Sequence, residues 1–555
     1  MNKKQKLELT WIGKDRQIKL EPRILIEDPK KSYGDKSTKN MLIYGDNLLA
    51  LKALEQDFTE KIKCIYIDPP YNTGNAFEHY DDSLEHSLWL SLMRPRLESL
   101  RKLLSRDGFL CCQIDDSEGH YLKILLDEVF GRSNYLTTIY VQVRYASKTL
   151  KQDMDFHKQI EQIHVYRKEY GAEPNLNQMT TSFEKFCYHV FEKGQGKEIS
   201  LGGKKVIVFQ KDDYEIKKEE GSKKGLKEIW ASGTILDGNS SGRFFRDFLT
   251  GLSKKDGLGV LYKVYGIGDD QFDFRYFTGP KRSGATKGKY YQGVPVNQLE
   301  GSENARTRPI ENYYDMAADF GNCRLEGGVA FRSGKKPERL LEVILKHFSC
   351  PGDVVLDSFL GSGTTAAVAH KMGRKWIGIE LRDHCHTHCL PRLKSVVDGS
   401  DQSGISKLHN WEGGGGSKYY YLAPSILKKD KYENWIIEDK YNANMLAAAM
   451  AKHEGFKYCP DDQIYWQQGK STEKDFIFTT TQFVTVEVLD KIKEEMKNGE
   501  SLLICAKSFQ KACENKYPQI TIKKIPQMLL GRCEFGKDNY KLNIIDMPEE
   551  DGDDE

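Results

Sequence analysis

The stretch KCIYIDPPY, from Lys63 to Tyr71, constrains the fold of this chain most: a strand-like apolar run ends directly on a carboxylate, two prolines and an aromatic ring. A short β-rich run closed by proline reads as a buried strand and the turn that ends it. Similar runs surround it, with helical segments between: MLIYG, NLLALKALEQ, KCIYID, LWLSLMRPRLESLRKLLSRDG and GFLCCQID follow one another from Met41 onward. Strand and helix in alternation predict an α/β fold with a parallel sheet. Ligands of such sheets sit beyond the carboxyl ends of the strands, where Asp68 falls.

A second α/β segment begins near Pro337. PERLLEVILKHF reads as a helix, DVVLDSFLGSG as a strand and glycine turn, TTAAVAHKM as a helix and KWIGIEL as a strand. The two segments are expected to share one sheet. Glycines such as Gly361 and Gly363 let backbone approach a ligand closely. Glu380 closes the next strand about twenty residues on, the place from which an acid binds ribose hydroxyls in nucleotide-binding α/β folds. The loop lacks the lysine of a phosphate-binding GxxxxGK[ST] motif, which excludes an NTPase reading.

Between the segments the text turns Gly-, Lys- and aromatic-rich, with strand-like runs KVIVFQ, VLYKVY and FDFRYF that predict an inserted domain. Although Lys plus Arg number 83 against 81 acidic residues over the 555-residue chain, the span Gly196–Pro295 holds 19 basic against 13 acidic residues. A local basic excess with interleaved aromatics suits a nucleic-acid surface, whereas a small domain with ordinary solvated lysines is the plainer alternative. The run from Gly413 to Ser417 reads as a linker or sharp turn before a C-terminal domain, and EEDGDDE as an acidic tail. The expected organisation is an extension over 1–40, α/β segments over 41–170 and 327–412, an insert over 171–326, a C-terminal domain over 413–547 and the tail over 548–555.

Twelve cysteines without regular spacing and an N-terminus with no signal-peptide run indicate a reducing cytoplasm. No stretch approaches the ~18 apolar residues of a membrane span. His384-Cys385-His386-Thr387-His388-Cys389 gathers metal-ligand types, yet no second cluster closes a site, so a packing helix is expected and no metal. Cys111 and Cys112 read as small apolar core.

The chemistry of Asp68–Tyr71 suits an exocyclic amine. Prolines stiffen the loop and leave carbonyls to accept hydrogen bonds, Asp68 supplies a further acceptor, and Tyr71 offers a flat face for an extruded base. A rigid turn after a buried strand is the alternative reading of the same residues.

Taken with the glycine loop, these residues resemble the β-class amino-methyltransferases of DNA, in which a DPPY catalytic motif precedes, and an FxGxG cofactor motif follows, the target-recognition domain. The segment FRSGKKPERLLEVIL, Gly45-Asp46 and WEGGGGSKYYYL look like modification (Mod) subunits of type III restriction-modification systems. The resemblance covers most of 41–168 and 327–422. It implies a Rossmann-like S-adenosylmethionine-dependent methyltransferase fold, with a seven-stranded mixed sheet, that methylates adenine N6 in duplex DNA by base flipping. Cytosine N4 and a non-catalytic DNA-recognition subunit are the rivals, and the aspartate of DPPY favours adenine. By the same resemblance Asp68, Pro69, Pro70 and Tyr71 are catalytic. Asp46, Asp68, Lys336, Asp357, Phe359, Gly361, Gly363, Thr364 and Glu380 hold S-adenosylmethionine. The insert contributes Lys254, Lys255, Arg275, Lys281 and Arg282 to DNA contact, and Asn72 is expected to bind DNA as well. A homodimer and a separate restriction subunit are the protein partners that the resemblance implies.

Overall fold

The computed structural model describes residues 8–16, 18–71, 82–147, 156–178, 183–232, 240–296, 307–331, 334–538 and 540, so that Asn72 and the acidic tail lie outside the described residues. Contacts divide the chain into two compact units, one of residues 1–175 and 311–555, the other of 176–310.

The first unit is built on an 11-stranded sheet. Its strands are β1 (Leu25–Glu27), β2 (Tyr33–Gly34), β3 (Met41–Tyr44), β4 (Ile62–Ile67), β5 (Leu104–Ile114), β6 (Tyr135–Gln142), β7 (Ile160–Arg167), β8 (Tyr313–Asp315), β9 (Val354–Asp357), β10 (Lys375–Glu380) and β11 (Gly416–Leu422). Their spatial order is β1-β11-β3-β10-β9-β4-β5-β7-β6-β8, with β2 paired to β11. From β11 to β5 all neighbours are parallel, whereas β7 runs antiparallel to β5 and β6. The two α/β segments thus share one mixed sheet, larger than the seven strands expected.

Both faces of the sheet are covered, which explains why its strands are near-continuous apolar runs. Cys64, Tyr66, Phe109 and Cys111 join one core cluster, and Ile65, Ile67, Leu110 and Cys112 the other, as the two-residue strand period requires. Helices α1 (Asn47–Phe58) and α2 (Asp82–Leu103) supply Leu51, Leu54, Trp89 and Leu97 to the second cluster. Helices α3 (Glu338–Phe348) and α4 (Thr364–Lys371) supply Leu341, Ile344 and Val368 to the first.

The expected boundary at residue 413 differs from the structure. Gly413, Gly414 and Gly415, at φ of 101°, 115° and 73°, make a turn into β11, a strand held between β1 and β3. Beyond it, residues 424–538 form a five-stranded sheet with helices Ala443–His453 and Val486–Glu495. This part packs on the same unit, where Gln56 Nε2 donates to the Phe456 carbonyl at 2.9 Å and the Lys452 ammonium donates to the Ala53 carbonyl. The extension expected over 1–40 likewise lends β1 and β2 to the sheet.

The second unit carries a six-stranded antiparallel sheet, in the order Lys197–Leu201, Lys204–Phe209, Leu261–Tyr265, Phe274–Thr278, Lys287–Gln292 and Lys227–Ser232. Most aromatics expected to face nucleic acid are instead its core: Phe244, Phe245, Tyr262, Tyr276, Phe277, Tyr290 and Tyr291 are buried. They are buried on both faces of the sheet, Phe244, Phe245, Tyr262, Phe277 and Tyr290 in one cluster and Tyr276 and Tyr291 in another, because large rings supply much of the apolar area of so polar a sheet. Arg275, expected on the DNA side, is corrected as well. It is buried, its guanidinium 2.7 Å from Asp270 Oδ2 and 2.5 Å from Ser241 Oγ, while Asp270 also accepts from the Phe272 and Gly293 amides. Replacing Arg275 by Met leaves Asp270 buried without its counter-charge, and calorimetry of the full chain is expected to show a loss of about 3–5 kcal/mol in the unfolding of this unit.

Candidate active site

Strand β9 pairs directly with β4, Leu356 beside Ile65 and Val355 beside Cys64. Because the strands are parallel, their carboxyl ends emerge side by side, placing Asp68 next to Asp357 and the glycine loop.

Asp68 is the first residue after β4. Its Oδ1 accepts from the Tyr71 hydroxyl at 2.7 Å, and its Oδ2 lies 3.0 Å from the Lys336 ammonium. Tyr71 also donates toward Glu161 Oε2 at 2.9 Å, the same oxygen that lies 3.4 Å from Lys336. Glu161 stands at the start of β7 and accepts from Gln113 Nε2 on β5, whose Oε1 accepts from the buried Tyr66 hydroxyl at 2.5 Å. Lys336 sits 5.0 Å above the Tyr71 ring. Asp68 and Tyr71 follow β4, Gln113 lies at the end of β5, Glu161 at the start of β7 and Lys336 in the turn before α3, so only the assembled sheet brings them together.

Burial raises the Asp68 pKa above the ordinary carboxylate value; the Lys336 charge opposes this and Glu161 adds to it. Burial works to lower the Lys336 pKa, but the two carboxylates beside it leave it raised. The Lys336 ammonium thus lies between two carboxyl groups, at 3.0 and 3.4 Å. Lys336, expected to hold the cofactor, is instead paired with Asp68.

The loop itself is anchored by Trp89 on α2, whose indole Nε1 donates to the Pro70 carbonyl at 2.7 Å. Among the described residues no donor reaches the Pro69 carbonyl. Trp89 and Glu161 were missed in the sequence; a tryptophan on an apolar helix face and a glutamate in an alternating strand carry no signal of their partners.

On β9, Asp357 is buried and holds the loop from beneath, accepting from the Phe359 amide at 2.9 Å and the Thr365 hydroxyl at 2.5 Å. Burial pushes its pKa up to about 7. Gly361 and Gly363 lie at φ of 57° and 83°, where glycine is favoured, and Gly363 caps α4. Nothing lies within 4 Å of where a Gly361 side chain would start. Glu380 at the end of β10 accepts from the Gly361 amide at 2.7 Å and the Arg382 amide at 3.0 Å. The Ser358 hydroxyl beside them is buried with no partner among the described residues.

Two expected cofactor residues are committed elsewhere. Thr364 is buried, its hydroxyl accepting from Arg392 Nη1 at 2.8 Å. Asp46 caps α1 through the Leu49 amide at 3.1 Å, faces Arg96 at 3.4 Å and accepts from the Tyr540 amide at 2.9 Å, so this arrangement leaves it no open face for a ligand. Beneath the glycine loop runs a buried charge network that the sequence did not reveal: Glu338 is 2.8 Å from both Lys371 and Arg392, and Lys371 is 2.7 Å from Asp401.

The His384–Cys389 run disperses its side chains. Cys385 and Cys389 are buried, His384 and His388 meet Phe331 edge-on, and His386 faces Tyr44 and Tyr419. Among the described residues no group of three or more His, Cys, Asp or Glu could hold a metal, and no helix is long and apolar enough to cross a membrane.

The parallel pair thus sets a carboxylate- and proline-containing loop beside a glycine-rich turn that Glu380 closes. The profile of the DNA methylase family matches residues 62–389, and the chain belongs to that family. It is similar to the "probable type III restriction-modification enzyme HindVI Mod subunit" of Haemophilus influenzae, at 34% identity over 70% of this chain and 54% of that protein. It is also similar to the type III EcoPI Mod subunit of Escherichia phage P1, at 27% identity over 66% of this chain and 61% of that one. The StyLTI Mod subunit of Salmonella typhimurium matches at 27% identity, over 65% of this chain and 55% of its own length. The chain thus spans roughly half to three fifths of the curated relatives it matches.

Gly363→Ala places a side chain in a left-handed conformation 3.4 Å from the Cys389 Cα. Thermal unfolding is expected to report a loss of about 1 kcal/mol, less if α4 shifts.

Proposed function

We propose that this chain transfers a methyl group from S-adenosylmethionine to N6 of adenine in duplex DNA, as the modification component of a restriction-modification system. The observation that carries this reading is the pairing of β4 with β9, which sets Asp68 and the glycine loop at one sheet edge. The relatives' description as Mod subunits supports work beside a restriction subunit; a homodimer rests on the resemblance alone.

The cofactor site fits on the chain's own chemistry. Phe359, Gly361, Gly363 and Glu380 would hold the nucleoside part, with the open space above Gly361 and the buried Ser358 hydroxyl available to it. When bound, S-adenosylmethionine supplies an electrophilic methyl on a sulfonium sulfur. Asp68 accepts one hydrogen of the adenine amine and the Pro69 carbonyl the other, which raises electron density on N6 and fixes its direction. Tyr71 stacks on the flipped base. No strong base is required, because alkylation makes the amine proton acidic enough for a carboxylate oxygen of Asp68 to accept it. Catalysis is mostly positioning and electrostatics.

Radiolabelled S-adenosylmethionine, offered with duplexes whose target base is adenine only or cytosine only, is expected to label adenine. Label on cytosine, or on neither, overturns the reading. Asp68→Asn is expected to abolish label while leaving DNA affinity within about twofold, since the aspartate acts on a base and not on phosphates. Transfer requires ionised Asp68, so the rate is expected to fall as pH drops through its raised pKa, above the range of an ordinary aspartate.

Lys254, Lys255, Lys281 and Arg282 are exposed on the insert, which suits phosphate contact. Changing all four to alanine is expected to reduce the slope of log affinity against log salt by about 3–4, as counterion release predicts for four phosphate contacts. An unchanged slope removes them from the interface.

A further inference from the structure

We propose that Glu161 is a positioning residue for the transfer, carrying the counter-charge to Lys336 so that the Asp68 carboxylate keeps its own charge for the target amine. The inference rests on the adenine-methylation reading above and deepens the description of its site.

The geometry is unusual for a structural ion pair. Lys336 is buried, and its ammonium is shared between Asp68 Oδ2 at 3.0 Å and Glu161 Oε2 at 3.4 Å. The single hydrogen of the Tyr71 hydroxyl faces the same two carboxylates, at 2.7 and 2.9 Å. Glu161 is held in place from the core through Gln113 and Tyr66, whereas Asp68 sits at the mouth of the loop. With Asp68 and Lys336 alone, the pair would be neutral and the aspartate's charge would be spent on the lysine. With Glu161 present a second carboxyl group shares the ammonium, and when both are ionised the cluster keeps one negative charge, which favours a group that becomes positive as it is alkylated.

Among the described residues, the charged and titratable groups that face Asp68 are Lys336, Glu161, Tyr71, Tyr66, Asp357 and Cys112. Glu161 raises the Asp68 pKa and Lys336 lowers it. Neutralising Glu161 therefore has two separable effects. Asp68 is drawn more fully onto Lys336, which slows transfer, and its pKa falls, which extends the active range toward acid. An anchor that merely kept Lys336 in place would slow transfer without that directed shift.

The test is Glu161→Gln in the full-length chain. The expected result is a fall in kcat of about tenfold or more, the scale of losing one electrostatic contact to the reacting group. KM for DNA and for S-adenosylmethionine stays within about twofold, and the acid limb of kcat moves to lower pH. Glu161→Asp, which keeps the charge, leaves the acid limb where the wild type has it. The double variant Lys336→Met with Glu161→Gln removes both opposing charges and is expected to turn over faster than Glu161→Gln alone. Wild-type kcat in Glu161→Gln, an acid limb that stays or moves upward, or a double variant no faster than the single one overturns the proposal. A wild type that transfers no methyl defeats the adenine reading instead. The Glu161 proposal is then decided without turnover by carbon-13 titration of the Asp68 carboxyl, assigned with Asp68→Asn: a lower pKa in Glu161→Gln supports it, and an unchanged one overturns it.

Discussion

The candidate site depends on one backbone pairing, β9 against β4, which joins segments nearly three hundred residues apart. Parallel neighbours align their carboxyl ends, so the residues that leave those strands must share one edge of the sheet. The connection between them can carry a whole further unit, because the entropy of closing a loop grows only slowly with its length. What holds the pairing is apolar cover on both faces: Cys64 and Tyr66 turn to one cluster, Ile65 and Ile67 to the other, and a slip by one residue would exchange the two sets.

Three buried clusters of charge serve different ends. Arg275 with Asp270 and the network of Glu338, Lys371, Arg392 and Asp401 have both signs fully enclosed. Removing either partner would strand a charge in low dielectric, so such clusters fix geometry, the one stitching the insert and the other supporting the glycine loop from below. The Asp68, Lys336 and Glu161 cluster differs in two respects. Its carboxylates are only partly covered, and the two share one ammonium. Like-charged groups held close together at a strand end are often met where a ligand binds.

The chain belongs to the DNA methylase family, whose profile spans both segments that meet at the β4–β9 pairing. The family profile ends before β11, yet β11 lies inside the sheet between β1 and β3. The methylase core of this chain is therefore completed by strands from before and after the matched region, and the C-terminal part packs on α1 through Ala53 and Gln56.

Local pattern was enough to reveal the α/β class, the strand ending on Asp68-Pro69-Pro70-Tyr71, the glycine loop from Phe359 to Gly363 and Glu380 at the next strand end. Each of these is encoded by neighbours in sequence: a two-residue period, a proline that ends a strand, a glycine that alone accepts a positive φ. Tertiary structure alone decided the rest. It placed Lys336 on Asp68, brought Glu161 to both, turned Asp46 and Thr364 inward, buried Arg275 and the aromatics of the insert, and made a glycine run the entry to a core strand. The reason is physical. Whether a charged or aromatic side chain meets solvent, a partner or a ligand depends on what packs against it from distant segments, and neither periodicity nor composition records that.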